Sequence, residues 1–121
     1  MFSGCCLCGK SKYAAASEPR FSIQCYCRDC QHVSGGGNLP QLAMPKDTFS
    51  YSGEIKTYQG KSASGNDLEF SFCSDCGSPM FKTTSMAPEL VFVYAGSLDD
   101  PTQFADPQKV YEDARQPWDK S

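Results

Sequence analysis

Apolar and polar residues alternate along this chain in short runs, and turn residues separate one run from the next. In Arg20-Phe21-Ser22-Ile23-Gln24-Cys25 the residues Phe21, Ile23 and Cys25 share one face of a strand. Thr48-Phe49-Ser50-Tyr51 alternates and Ser52-Gly53 turns it. Glu54-Ile55-Lys56-Thr57-Tyr58 predicts another strand, followed by a polar turn from Gly60 to Asp67. Leu68-Glu69-Phe70-Ser71-Phe72 alternates cleanly and runs into Cys73. After Gly77-Ser78-Pro79 come Met80-Phe81-Lys82-Thr83 and then Leu90-Val91-Phe92-Val93-Tyr94-Ala95, the most apolar strand. Aromatic strand residues such as Phe70, Phe72, Phe92 and Tyr94 read as core.

Elsewhere the pattern is weaker and the turn residues decide. Lys12-Tyr13-Ala14-Ala15-Ala16 has helical propensity, but Ser17-Glu18-Pro19 would break a helix within a turn. It is therefore read as a short strand that turns into the run ending at Cys25, a hairpin that would carry Cys25 back towards the amino-terminal segment. Arg28 to Ser34 predicts one or two helical turns, stopped by Gly35-Gly36-Gly37; that run reads as a mobile loop beside a site and lacks phosphate-binding spacing. Asn38 to Met44 is extended, with Pro40 and Pro45 arguing for an edge or a bend. The tail from Gly96 to Trp118 is turn-rich. Without repeats, linkers or long helices, the pattern predicts an all-β domain of short antiparallel sheets, a single domain over residues 1–121.

Composition narrows the possible functions. Of 121 residues 40% are hydrophobic, yet no run approaches the ~20 apolar residues of a membrane span. Met1-Phe2-Ser3-Gly4-Cys5 lacks a basic segment followed by an apolar one, so no secretory signal is expected. A net charge of −3 opposes a basic surface for nucleic acid or anionic lipid. The expectation is a cytoplasmic protein with neither nucleic acid nor membrane as partner; a homodimer is left open.

Eight cysteines change the picture most. In a reducing compartment such a count indicates metal ligands or redox thiols rather than a disulfide framework. Their grouping supports metal, because they fall in three tight clusters and a C-x-C pair makes a strained disulfide. Phe72-Cys73-Ser74-Asp75-Cys76-Gly77 has the spacing of a zinc knuckle, in which a tight turn points both sulfurs at one ion and the following glycine permits a positive φ. A tetrahedral site needs two further ligands, and Cys6-Leu7-Cys8-Gly9 is the natural complement. Cys6, Cys8, Cys73 and Cys76 would then close a structural zinc site, which contributes folding energy directly.

Cys25-Tyr26-Cys27-Arg28-Asp29-Cys30 holds three further thiols. Residues 25 and 27 face one way on a strand and 30 returns on the next turn, so three sulfurs can meet one ion at about 2.3 Å. A fourth position would be left for water or a substrate thiol, or for His32 or Cys5, either of which would make the site inert. Cys5 most simply is a spare thiol, and His32 a capping or hydrogen-bonding residue.

Gly4-Cys5-Cys6-Leu7-Cys8-Gly9 with Tyr13, the central cysteine run, Phe72-Cys73-Ser74-Asp75-Cys76-Gly77-Ser78-Pro79, Gly96-Ser97-Leu98-Asp99-Asp100-Pro101 and Gln116-Pro117-Trp118 together resemble the glutathione-dependent formaldehyde-activating enzyme family. The resemblance implies a zinc-bound β-tent fold and two zinc ions, a structural one on Cys6, Cys8, Cys73 and Cys76 and a catalytic one on Cys25, Cys27 and Cys30. It also implies a carbon–sulfur lyase that joins glutathione, or a related small thiol, to formaldehyde or a similar aldehyde as S-(hydroxymethyl)glutathione. Tyr26, His32 or a water would protonate the new alkoxide, and Arg28, Lys46, Lys61 or Arg115 could receive the carboxylates of glutathione. Two positions depart from the family's usual pattern: Tyr26 stands where histidine is usual and Gln31 where arginine is. The alternative is a zinc-stabilised protein-binding module that catalyses nothing.

Overall fold

A computed structural model describes residues 1–120 of the chain. Its strands are β1 (Phe2–Cys5), β2 (Lys12–Ala15), β3 (Phe21–Cys25), β4 (Leu39–Pro45), β5 (Phe49–Ser52), β6 (Ile55–Lys61), β7 (Asp67–Cys73), β8 (Pro79–Thr84), β9 (Leu90–Tyr94) and β10 (Gln108–Val110), with one short helix, α1 (Arg28–Ser34). Strands β1, β2 and β5 form a three-stranded sheet, and the others a larger sheet in the order β10-β3-β4-β9-β8-β7-β6. The architecture is all-β, as alternation predicts. Pairing is antiparallel throughout except at one edge, where β10 runs parallel to β3.

Two expectations need correction. Strand β2 does not form a hairpin with β3: it pairs with β1 and β5, and β3 belongs to the other sheet. Cys25 is accordingly not carried back to the amino-terminal group. Strand β4 is not at an edge but lies between β3 and β9. Its prolines are tolerated because Pro40 precedes the β4–β9 ladder, which begins at Gln41, and Pro45 is the last rung of that ladder. The glycine run stops α1 as expected, and none of its three residues lines the pocket beside the second thiol group. Gly35 caps α1 in the left-handed conformation, φ 73°, and its N–H donates to the Gln31 carbonyl.

Side chains alternate between the two faces of the large sheet. Leu42 and Met44 of β4 and Val91 and Val93 of β9 point to one face, where Phe2, Tyr13 and Ala15 of the small sheet cover them. Phe81, Met80 and Leu98 complete this main core, and Tyr13, Phe49 and Phe81 pack ring against ring. Each such apolar side chain contributes about 1.5–3 kcal/mol on burial. On the opposite face lie Leu39 and Tyr94 with Cys25 and Cys30, and Ala43, Leu90 and Phe92. Phe70 and Phe72, expected as core, are only half-buried.

The Gly96-Ser97-Leu98-Asp99 segment ties the small sheet to this frame. Leu98 bridges to Gly4, the Asp99 N–H donates to the Ser3 carbonyl at 2.8 Å, and the Tyr13 and Ser97 hydroxyls meet at 2.6 Å. A Cβ on Gly4 would run into the Tyr13 hydroxyl and the Ser97 carbonyl. Gly4→Ala is therefore expected to destabilise the fold by ~2 kcal/mol, lowering the melting temperature by roughly 6–10 °C in a thermal scan.

Among the described residues, no helix is long and apolar enough to cross a membrane.

Candidate metal centres and the pocket beside one of them

The first group of thiols forms where the loop after β1 meets the turn after β7. Cys6 and Cys8 lie in a tight turn in which Gly9 N–H donates to the Cys6 carbonyl at 3.1 Å. Cys73 and Cys76 lie in the knuckle closed by Gly77 N–H on the Cys73 carbonyl at 2.9 Å, with Gly77 at φ +76°. Leu7 N–H donates to the Ser78 hydroxyl at 3.0 Å and so joins the two turns. The four sulfurs lie within 4.8 Å of one another. Cys6 and Cys8 are 3.5 Å apart and Cys8 and Cys73 3.7 Å, sulfur to sulfur. A tetrahedral zinc with bonds of ~2.3 Å requires edges of about 3.8 Å, so these residues fit the ion.

The surroundings of Cys6 and Cys76 favour thiolates, while burial and the neighbouring thiols raise Cys8. Ser11 N–H donates to Cys6 Sγ at 3.3 Å. The Ser78 hydroxyl, which already accepts from Leu7, donates to Cys76 Sγ at 3.2 Å and pulls that thiol down to about 5. Cys6 and Cys73 are buried in the main core.

The second group lies on the other face. Cys25 ends β3, Cys27 is the N-cap of α1 and Cys30 lies within that helix, and the three sulfurs are also within 4.8 Å of one another. Cys30 N–H donates to Cys27 Sγ at 3.4 Å, and Gln41 Nε2 to Cys30 Sγ at 3.8 Å. The Cys30 thiol, bonded to Cys25, draws Cys25 down to about 6, and the charge of Lys82 acts in the same direction. Burial raises Cys27, and the hydrogen bond to Cys25 followed by burial raises Cys30, so the first negative charge of the trio rests on Cys25. Beside these thiols the buried Tyr94 hydroxyl and Gln41 Oε1 have no hydrogen-bond partner. Buried polar atoms of this kind mark a place for a water or an ion.

Helix α1 is held by its own side chains and by the tail. Gln31 donates to the Tyr26 carbonyl at 2.7 Å and to the Ala114 carbonyl at 3.1 Å, and accepts from Arg28 and Gln116. Tyr26 N–H donates to the Val110 carbonyl, and the Arg115 guanidinium lies 4.4 Å from the Tyr26 ring centroid. Tyr26 and Gln31 are thus both buried and fasten the thiol-bearing helix to β10 and the tail.

Cys25, Cys27 and Cys30 form part of the wall of a pocket of about 410 Å³. The rest is mostly apolar, supplied by Phe21, Ile23, Leu68, Phe70, Phe92 and Val110, with Lys82 as its cation. Arg28, Lys46, Lys61 and Arg115 lie outside this wall. Arg28 bonds to Gln31 and His32, Lys61 pairs with Asp67, and Arg115 pairs with Glu112. Sequence reasoning missed Lys82; the signal available was one lysine within the run Met80-Phe81-Lys82-Thr83, next to the most apolar strand. Tyr26 is fully buried and His32 is exposed, and neither lines the pocket. Cys5 lies outside both thiol groups, beside Asp99, and burial raises its thiol first of all.

A crystal structure of a Rhodobacter sphaeroides protein superposes with a TM-score of 0.69 over 89% of this chain and 99% of that one, at 16% identity, a likeness of fold. A curated protein of Halomonas elongata, which carries the provisional name glutathione-dependent formaldehyde-activating enzyme, is 31% identical over 107 residues. That match takes in 82% of this chain and 66% of the relative, so the chain spans just under two thirds of the relative's length. The family model described as glutathione-dependent formaldehyde-activating enzyme matches residues 1–114. The chain belongs to that family.

Proposed function

We propose that the protein joins a small thiol such as glutathione to formaldehyde or a similar aldehyde, as a zinc-dependent carbon–sulfur lyase. One observation carries the reading: three thiols, with no fourth histidine, cysteine or carboxylate among the described residues, converge on the wall of a pocket. Cys25, Cys27 and Cys30 would hold the catalytic zinc, and Cys6, Cys8, Cys73 and Cys76 a structural one. Zinc at the trio would supply an open position that favours the ionised form of an incoming thiol at neutral pH.

The chain's own residues do the rest. Apolar walls at Ile23, Phe92 and Val110 limit water around the reacting atoms, and the Lys82 charge favours a thiolate. The thiol gives up its proton to solvent, and its sulfur forms a bond to the carbonyl carbon. The C=O π pair moves to oxygen, which takes a proton from water, giving the hemithioacetal RS–CH(OH)R′. Of the donors expected from the sequence, Tyr26 and His32 are not on the wall, which leaves water.

Exchange spectroscopy of glutathione mixed with formaldehyde tests the reading. Zinc-loaded protein in catalytic amount is expected to raise the exchange rate between free and hydroxymethylated glutathione by at least about tenfold over buffer. An unchanged rate, for glutathione and for simpler thiols alike, would overturn it.

A further inference from the structure

We infer that the pocket takes an apolar thiol bearing a single carboxylate, which pairs with Lys82 while the sulfur reaches the Cys25, Cys27 and Cys30 group. This rests on the function proposed above and names the substrate class of the same site.

The sheet register places Lys82 of β8 directly between Phe70 of β7 and Phe92 of β9. All three residues line the pocket, and the ammonium is 6.0 Å from the centroid of the Phe92 ring. Lys82 is half-buried and forms no ion pair with a carboxylate among the described residues. A cation set on an aromatic floor, partly desolvated and without a carboxylate partner, is suited to an anionic group that brings one.

The remainder of the wall argues against a more highly charged occupant. Glutathione brings two carboxylates and an ammonium, and each must be paired or solvated when buried. Lys82 can meet one carboxylate, and the lining holds no second cation. The hydroxyls of Ser62 and Ser64 are bonded to each other at 3.0 Å and Asn66 Nδ2 donates to Ser64 at 3.1 Å, which leaves one hydroxyl proton and no positive charge for the other carboxylate. Asp29, exposed in the first turn of α1, would repel a second anion. An unbranched or aryl thiol acid leaves nothing unpaired: its body meets the apolar side chains and its one charge meets Lys82.

The test uses the full chain loaded with cobalt in place of zinc, followed by the thiolate-to-cobalt charge-transfer band. Three probes are titrated: 6-mercaptohexanoate, 6-mercaptohexanol and glutathione. The acid is expected to bind about tenfold more tightly than either of the others. K82M, which keeps an apolar stem of similar length, should abolish that preference by weakening the acid well beyond the alcohol, which loses only the effect of the Lys82 charge on its thiolate, and K82R should restore most of it. Equal or tighter binding of glutathione, or equal weakening of acid and alcohol by K82M, would overturn the inference and leave the proposed function standing. A band unmoved by every thiol would overturn both.

Discussion

Replacing Cys73 with serine is expected to leave the chain unfolded. Cys73 is fully buried in the main core, at the end of β7, within sulfur contact of the loop that follows β1. The substitution removes one of four ligands and leaves a hydroxyl in an apolar setting, which alone costs about 1–3 kcal/mol. Metal binding at a structural zinc site is worth about 10–16 kcal/mol, comparable with or larger than the ~5–15 kcal/mol that holds a whole domain together. Loss of that tie cannot be offset by the rest of a chain of 121 residues. Far-ultraviolet circular dichroism should show the loss of β structure, and elemental analysis should fall from close to two zinc ions per chain to one or none. The matched control is Cys5→Ser, outside both thiol groups, which should retain both fold and metal. A folded Cys73→Ser protein with full zinc would refute the structural assignment.

Cys27→Ser should have the opposite profile: an intact fold and no activity. Cys27 is half-buried and caps α1, its sulfur accepting from Cys30 N–H. Serine is among the best N-cap residues, so the substitution keeps the cap while removing the sulfur. Disturbing only the outer partners of a metal ligand typically costs 10- to 100-fold in affinity or activity; removing the ligand itself should cost more than about a hundredfold. Zinc content is expected to drop towards one ion per chain, with a melting temperature within a few degrees of the parent and exchange of glutathione with formaldehyde at the buffer rate. Collapse of the fold would show that both thiol groups share the structural task.

What the sequence makes legible is what is local. Two cysteines separated by one or two residues, with glycine following, carry their geometry within a few bonds, and all seven grouped thiols stand where spacing joins them. Alternation likewise marks β3 and β7, because a half-buried strand needs a polar residue at every second position, and an unbroken apolar run marks β9, which is buried on both faces. Partner choice is not local. Lys12–Ala15 and Phe21–Cys25 are neighbours in sequence, yet they join different sheets, since β2 finds Phe2–Cys5 and Phe49–Ser52 instead. Gln108-Lys109-Val110 has one apolar residue and no pattern, and it is a strand only because it lies along β3. The pocket is the least legible feature, for its wall draws on β3, β7, β8, β9 and β10 at once. Lys82 has no local signature for the same reason: its place on the wall is set by strands β7 and β9 on either side of it.

The parallel edge strand also separates the two thiol groups along the chain. Residues 6 to 76 contain every sulfur of the four-thiol group. The chamber around the trio draws on a later stretch as well: Val110 and Tyr111 line it, and Ala114 and Gln116 brace its helix. The clamp is therefore supplied wholly upstream of the chamber's last pieces, and a change after residue 108 bears on the chamber rather than on the clamp.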